Sequence, residues 1–359
     1  MQLSHAVIAY LSRFTNEQRE NVYIVDDSMY VRENGKKVEL AAFQYDHAKH
    51  KMVRGFRYLV LGWSDGNSFI PTDFSLLSGE TKRVEPRQLD QRSHSGKRKM
   101  QAMRKVTDVT IELLSAALKQ GRQANYVLFD SWFSSPKMFR AIRELKLHAI
   151  AMVKRSSKVY YRYNDEKMDV KTIFKMEKKR RGRSRYLLSV LVEAVYDDGK
   201  VVPIKLVYVR NRTKRNDYLV LASTDTTLTE DETIRLYGKR WAIEVYFKMC
   251  KQYLHLAKYQ GLSYDGIFAH TVLVATSYLF LAIRQREETD NRTIDELFYL
   301  MVEELSDLTF IEALTELIAL FKDAFKEEPV LREDILDHII KQFVGTLPKS
   351  VRNRLEPIV

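Results

Sequence analysis

Cysteine, glycine and proline are all scarce in this 359-residue chain: one Cys, thirteen Gly and seven Pro. The lone thiol, Cys250, excludes an intramolecular disulfide framework and any multi-cysteine zinc site, and it suits a reducing compartment. So little glycine and proline excludes collagen-like and low-complexity linker sequences. Glycine-rich phosphate loops are missing, which leaves nucleotide hydrolysis without support. The N-terminus, MQLSHAVIAYLSRFTNEQRE, lacks the basic-then-apolar layout of a secretory signal, because Arg13 interrupts its short apolar run. Only Gly266 to Ile283 is apolar over about the length that spans a bilayer. It contains His270, Thr271, Thr276 and Ser277, so it reads as the buried core helix of a cytoplasmic protein with no membrane partner.

Charge is plentiful and unevenly placed. Lys and Arg number 59 against 47 Asp and Glu, a net of +12. From Glu287 to Ile340 sixteen acids face four bases, so the remainder carries +24. Nine bases lie between Lys82 and Lys105, among them Arg92, Lys97, Arg98, Lys99 and Arg104. Six more fill eight positions from Lys178 to Arg185, including Arg181 and Arg183. Solubility alone does not account for such density; a polyanion is the natural partner. The acidic C-terminal part would be repelled by phosphate and suits contact with protein.

Hydrophobic patterning gives an α/β order. Asn21 to Val25 reads as a central buried strand ending in Asp26-Asp27-Ser28, and Gly55–Trp63 and Ser68–Leu76 as a hairpin turning at Ser64-Asp65-Gly66-Asn67. Lys97–Lys119 predicts an amphipathic helix, followed by strand Tyr126–Phe129, helix Pro136–Leu145 and strand His148–Val153. Residues 154–225 are strand-rich, with strands at Tyr186–Tyr196, Val201–Val209 and Tyr218–Ala222. Thr229 opens a capping box for a long helix to about Leu256, and helices are predicted at Gly266–Arg284, Thr293–Leu305, Thr309–Phe325 and Glu333–Val344.

Carboxylates at the ends of adjacent buried strands suit a pair of hard divalent cations. Asp26 or Asp27 ends the first strand and Asp130 ends Tyr126–Phe129; a turn-forming role is the plainer reading of either alone. On the long helix Tyr237, Arg240, Glu244 and Lys251 fall within about 60° of one another at 100° per residue, provided Gly238 does not break it. His47 and His50 lack the partners of a zinc site, Tyr45, His47 and Arg54 read as polar contacts near the sheet edge, and Cys250 reads as a packed thiol.

The spacing Tyr-x2-Arg-x3-Glu-x6-Lys at Tyr237, Arg240, Glu244 and Lys251 resembles the signature of the insertion-sequence-four family of DDE transposases, as do Arg240–Glu244, Asp130-Ser131-Trp132-Phe133 and Asp26-Asp27-Ser28. The resemblance implies a ribonuclease-H-like core in which Asp26, Asp130 and Glu244 bind two Mg²⁺ ions, with Mn²⁺ as a substitute and Asp27 in reserve for Asp26. It implies Tyr237, Arg240 and Lys251 on DNA phosphates, with Arg92, Lys97, Arg98, Lys99, Arg104, Arg181, Arg183 and Arg185 tracking the double-stranded DNA backbone. The activity implied is cleavage and strand transfer of element ends into target DNA by a homodimer. The expected organisation is core at 1–153, a β-rich insertion at 154–225, the catalytic helix completing the core at 226–258, and a helical region at 259–359. Two departures stand out. Only 25 residues precede Asp26, where relatives carry an end-recognition domain, and the three tryptophans, Trp63, Trp132 and Trp241, all lie outside the insertion. A shortened, non-cutting inhibitor that binds DNA or joins dimers is the alternative.

Overall fold

The computed structural model describes residues 2–14, 19–46, 49–79, 89–121, 124–181, 184–196, 198–211, 217–287, 314–315, 317–321 and 333–346. Two compact units divide at Asn291. The first contains an eleven-stranded sheet. Its strands are β1 (Val22–Val31), β2 (Ala42–Asp46), β3 (Lys51–Ser64), β4 (Phe69–Leu77), β5 (Tyr126–Phe129), β6 (His148–Met152), β7 (Tyr161–Tyr163), β8 (Glu166–Met168), β9 (Tyr186–Val195), β10 (Val201–Arg210) and β11 (Tyr218–Ser223). Their order is β2-β3-β1-β5-β6-β11-β10-β9-β7-β8, with β4 also paired to β3.

The middle of this sheet is the part that positions a site. β3 is antiparallel to β1 and to β4, whereas β1, β5 and β6 run parallel. Parallel neighbours need covered faces, which is why Val22 to Val25 and Tyr126 to Phe129 are buried on both sides. This mixed α/β arrangement is consistent with a ribonuclease-H-like nuclease fold. Beyond β6 the sheet continues antiparallel through β11, β10 and β9. Helix α4 (Pro136–Glu144) joins β5 to β6, whereas helix α5 (Val170–Met176), short strands β7 and β8, and strand β2 carry too little periodicity to be read from sequence.

Three boundaries differ from the sequence expectation for identifiable reasons. β1 does not stop at Val25: it runs on to Val31, paired to β3 alone, because β3 begins as early as Lys51. The Lys97–Lys119 segment is two helices, α2 (His94–Ala102), capped by the Ser93 side chain, and α3 (Val106–Lys119), separated at Met103–Lys105. The long helix is also two, α6 (Glu230–Gly238) and α7 (Trp241–Gln252), with Lys239 and Arg240 in a tight turn between them. α6 opens on the predicted capping box of Thr229 and Glu232.

Helix α8 (Tyr264–Glu287) is long and apolar enough to cross a membrane by length and composition. In the structure it packs on β4, α7 and α1 (Gln2–Ser12), burying Ile267, Val274, Tyr278 and Leu281. It therefore belongs to the first unit. In the second unit α9 spans Glu333–Gly345. The predicted helices Thr293–Leu305 and Thr309–Phe325 lie largely outside the described residues.

α7 is fixed over the sheet by aromatic packing. Tyr246 touches Phe69 and Tyr278, Phe247 touches Tyr58, and the buried hydroxyls of Tyr58 and Tyr246 lie 2.6 Å apart. Two phenols bonded to each other in a dry core are each satisfied by the other, so removing one leaves a buried polar atom. Tyr58→Phe or Tyr246→Phe should each cost about 1–2 kcal/mol in chemical denaturation, and the double variant less than their sum. Additive losses would show that the pairing of the two hydroxyls contributes nothing.

Candidate active site

The parallel pairing of β1 with β5 ends at Val25 opposite Phe129. The next residues, Asp26 within β1 and Asp130 just past the end of β5, therefore stand at the same level on the same face of the sheet. From here on, among the described residues, β1 pairs with β3 alone, and its other edge, Asp26 to Val31, lines a cleft of about 650 Å³. Asp130, Trp132, Arg57, Lys154 and Lys251 complete much of its wall.

Alternation along β1 separates the two candidate aspartates. Asp26 and Ser28 share a face with Tyr58, the register partner of Ser28, and Tyr58 meets Tyr246 of α7. α7 thus lies along that face. At one end Arg240 donates to the Asp26 Oδ2 at 2.8 Å and to the Glu244 Oε1 at 3.1 Å; at the other the Lys251 ammonium donates to the Ser28 Oγ at 2.5 Å. Asp27 points to the other face, where Arg57 Nε stands 3.3 Å from its carboxylate. The structure therefore groups Asp26, not Asp27, with Arg240 and Glu244.

The break after Gly238 invalidates a single-helix projection for Tyr237, yet Tyr237 stays beside Arg240. The turn tightens through i,i+3 bonds, Arg240 N–H to Tyr237 carbonyl at 3.0 Å and Ile243 N–H to Arg240 carbonyl at 3.2 Å. The guanidinium lies 5.9 Å from the Tyr237 ring centroid. The Tyr237 hydroxyl is buried with no hydrogen-bond partner. Burial pushes it up to about 12, and the Asp130 and Asp26 charges add to that while Arg240 opposes it.

The carboxylates feel one another. Asp26, 9% exposed, is pushed up to about 8, first by burial and then by Asp130; Arg240 pulls down, while Asp27 and Glu244 push up. Asp27 rises to about 6 through burial, opposed by Arg57 and raised by Asp130. Lys251 is lowered, chiefly by desolvation of its ammonium. One Asp130 oxygen accepts the Trp132 N–H at 2.8 Å, so the turn-forming role coexists with the electrostatic one.

Two observations bear on a divalent cation here. The donors are hard oxygens, and the carboxylates are crowded enough to hold protons near neutrality, a demand for positive charge that a cation meets. Among the described residues no three acidic, histidine or cysteine side chains converge on one point. Asp26 and Asp130 stand as an adjacent pair, and Glu244 joins them through Arg240 and is not part of the cleft wall. The donor chemistry fits; Arg240 supplies the bridging positive charge in this arrangement.

The basic residues divide more sharply than their sequence clustering implies. Lys99 is bound between Glu39 at 2.6 Å and Asp265 at 3.2 Å, Arg98 lies 4.3 Å over the Phe268 ring, and Arg104 pairs with Glu112. These three serve the protein's own packing. Arg92, paired only at 3.4 Å with Asp90, remains almost wholly exposed, and Lys97, Arg181 and Arg185 are also exposed. Arg183, with Lys82, Arg83, Arg87 and His47, lies outside the described residues. Sequence reasoning passed over Arg57 and Lys154, which sit 5.0 and 5.2 Å from the Trp132 ring centroid at the cleft. Their signal was weak: single bases in or after a strand, legible only once β3 is registered against β1.

Adjacent acids at the ends of parallel strands, in a mixed α/β sheet with cations along the neighbouring helix, define a nuclease-like site. Residues 2–201 match the family described as DDE superfamily endonuclease, more than half of the chain, and the chain belongs to that family. The match spans Asp26 and Asp130; Glu244 lies beyond it. DDE superfamily endonucleases act on DNA and generally use divalent metals. No curated protein matches the chain.

Raised carboxylate pKa values carry a sign for stability. The folded chain holds protons on Asp26 and Asp27 that the unfolded chain, with ordinary carboxylates near 4, releases earlier. Between about pH 4 and pH 8 the folded state therefore binds more protons, and stability falls as pH rises. Denaturant midpoints at pH 5 and pH 8, measured in chelator, should drop for the unaltered chain and drop less for Asp26→Asn. Parallel slopes would remove Asp26 from this effect.

Proposed function

We propose that this chain is a transposase of the insertion-sequence-four type, cutting element ends and joining them to target DNA in a Mg²⁺-dependent cut-and-paste reaction. The observation that carries the reading is the placement of Asp26 and Asp130 side by side, with Arg240 of the α6–α7 turn and Glu244 and Lys251 of α7 laid along the same face of β1. Asp26, Asp130 and Glu244 would hold two Mg²⁺ ions, which when bound activate the attacking oxygen and stabilise the leaving one.

The chain's own groups do the rest. Arg240 offers a forked guanidinium to a phosphate, and Lys251 a compact ammonium near the mouth of the cleft. The unpartnered Tyr237 hydroxyl is a donor held beside the acids, suited to a backbone oxygen. Lys97, Arg92, Arg181 and Arg185 would follow the duplex backbone, a salt-sensitive and sequence-blind attraction. We place the activity in a homodimer on DNA in the cytoplasm, at the nucleoid. Residues 154–225 are taken as the insertion that interrupts the core, and end recognition as lying outside the segment from β1 to α7.

Glu244→Gln should abolish Mg²⁺-dependent nicking of a duplex while leaving affinity in chelator unchanged; undiminished nicking removes Glu244 from the chemistry. An unaltered chain that binds element ends and never nicks them, with Mg²⁺ or Mn²⁺, would move the reading to a non-cutting inhibitor. Neutralising Lys97, Arg181 and Arg185 together should flatten the log-affinity against log-salt slope by about one for each phosphate no longer neutralised. Lys99→Gln should instead lower stability and leave that slope alone, since its ammonium is already bound by Glu39 and Asp265.

A further inference from the structure

The cleft does not end at the acids. Tyr45 and Lys49, from the β2–β3 hairpin, form part of its wall at the far end of the free β1 edge. On this hairpin Tyr45 stands opposite Met52, and Phe43 opposite Arg54. The intervening residues turn inward: Gln44 Nε2 donates to the Leu77 carbonyl at 2.8 Å and Val53 is buried. The outward face is therefore Phe43, Tyr45, Met52 and Arg54. Phe43 is 62% exposed, Tyr45 42% and Met52 56%. Three large apolar side chains on neighbouring positions of one strand pair form a patch, which isolated exposed residues do not.

Cations adjoin it. Arg54 shares the face and donates to the Lys36 carbonyl at 2.6 Å, and the exposed Lys49 lines the cleft beside Tyr45. Lys51 is paired with Glu33 at 3.2 Å, and Asp46 is buried. Flat aromatic faces with a polarisable thioether, flanked by bases and continuous with a phosphate-cleaving cleft, match the chemistry of unpaired nucleic acid: bases to stack, phosphates to pair.

We propose that the outward face of the β2–β3 hairpin, centred on Tyr45 and Phe43, is a stacking platform for the unpaired DNA strand that continues from the cleavage site. This rests on the DNA reading above, and the test separates the two. Binding is measured by fluorescence anisotropy in chelator, so that no strand is cut, using a blunt duplex and the same duplex with a short oligo-dT extension of either polarity. The extension should tighten binding of the unaltered chain by roughly tenfold, the effect of about one stacked base.

An abasic extension should give no such gain. Phe43→Ala, which lies outside the cleft wall, should lose it while binding the blunt duplex as before; Tyr45→Ala should lose it as well, and Tyr45→Phe, which keeps the ring, should retain it. A gain that persists in both alanine variants, or that an abasic extension reproduces, overturns the platform and leaves the duplex reading standing. So does a hairpin that proves to join two copies of the chain, seen as a dimer that Tyr45→Ala dissociates with the extension gain intact. A chain that binds neither DNA sinks the underlying reading itself.

Discussion

Carboxylates gathered in a buried place repel one another, and a fold that gathers them must supply positive charge. Arg240 does so here. Its two terminal nitrogens reach Asp26 and Glu244, residues more than two hundred positions apart in sequence, and its own side chain is almost entirely enclosed. The α6–α7 turn, the aromatic anchoring of α7 and the face of β1 that it covers all follow from keeping that guanidinium in place. The crowding is not fully relieved even so, since Asp26 still holds its proton well above the ordinary carboxylate range.

Much of this was legible in the sequence, and the physical reasons are specific. Buried parallel strands must be apolar on both faces, so Val22–Val25 and Tyr126–Phe129 announced themselves, and each is followed by an aspartate. The Tyr-Arg-Glu-Lys spacing announced that these four side chains belong together, although the helix breaks after Gly238. Hidden were the features decided by pairing rather than by pattern. Nothing in Asp26-Asp27-Ser28 says that the strand continues to Val31, because its continuation depends on the length of β3. The choice between Asp26 and Asp27 is likewise a matter of which face α7 covers. The surroundings of Lys99 were hidden for a related reason: charge density is visible in sequence, whereas the acids that take up its ammonium, Glu39 and Asp265, are distant along the chain.

Family membership and geometry speak to different parts of the site. The DDE superfamily match covers the strands that carry Asp26 and Asp130 and ends in the β9–β10 region. Glu244 stands instead on its hydrogen bond to the same guanidinium that holds Asp26. A side chain outside the matched segment is thus tied to one inside it by a direct physical contact, which is a stronger warrant for grouping them than spacing alone.

The sheet passes without interruption from the acid-bearing strands into the 154–225 segment, through β6 bonded on one side to β5 and on the other to β11. Ala149, Ile150 and Ala151 are buried along that seam, and the Ala149 N–H and carbonyl are bonded to Thr224. A descendant that shed this segment would bare an oily, adhesive border one strand away from Asp130, inviting fibres or mispaired oligomers. The strands beyond β6 thus shield that border as well as extending the sheet.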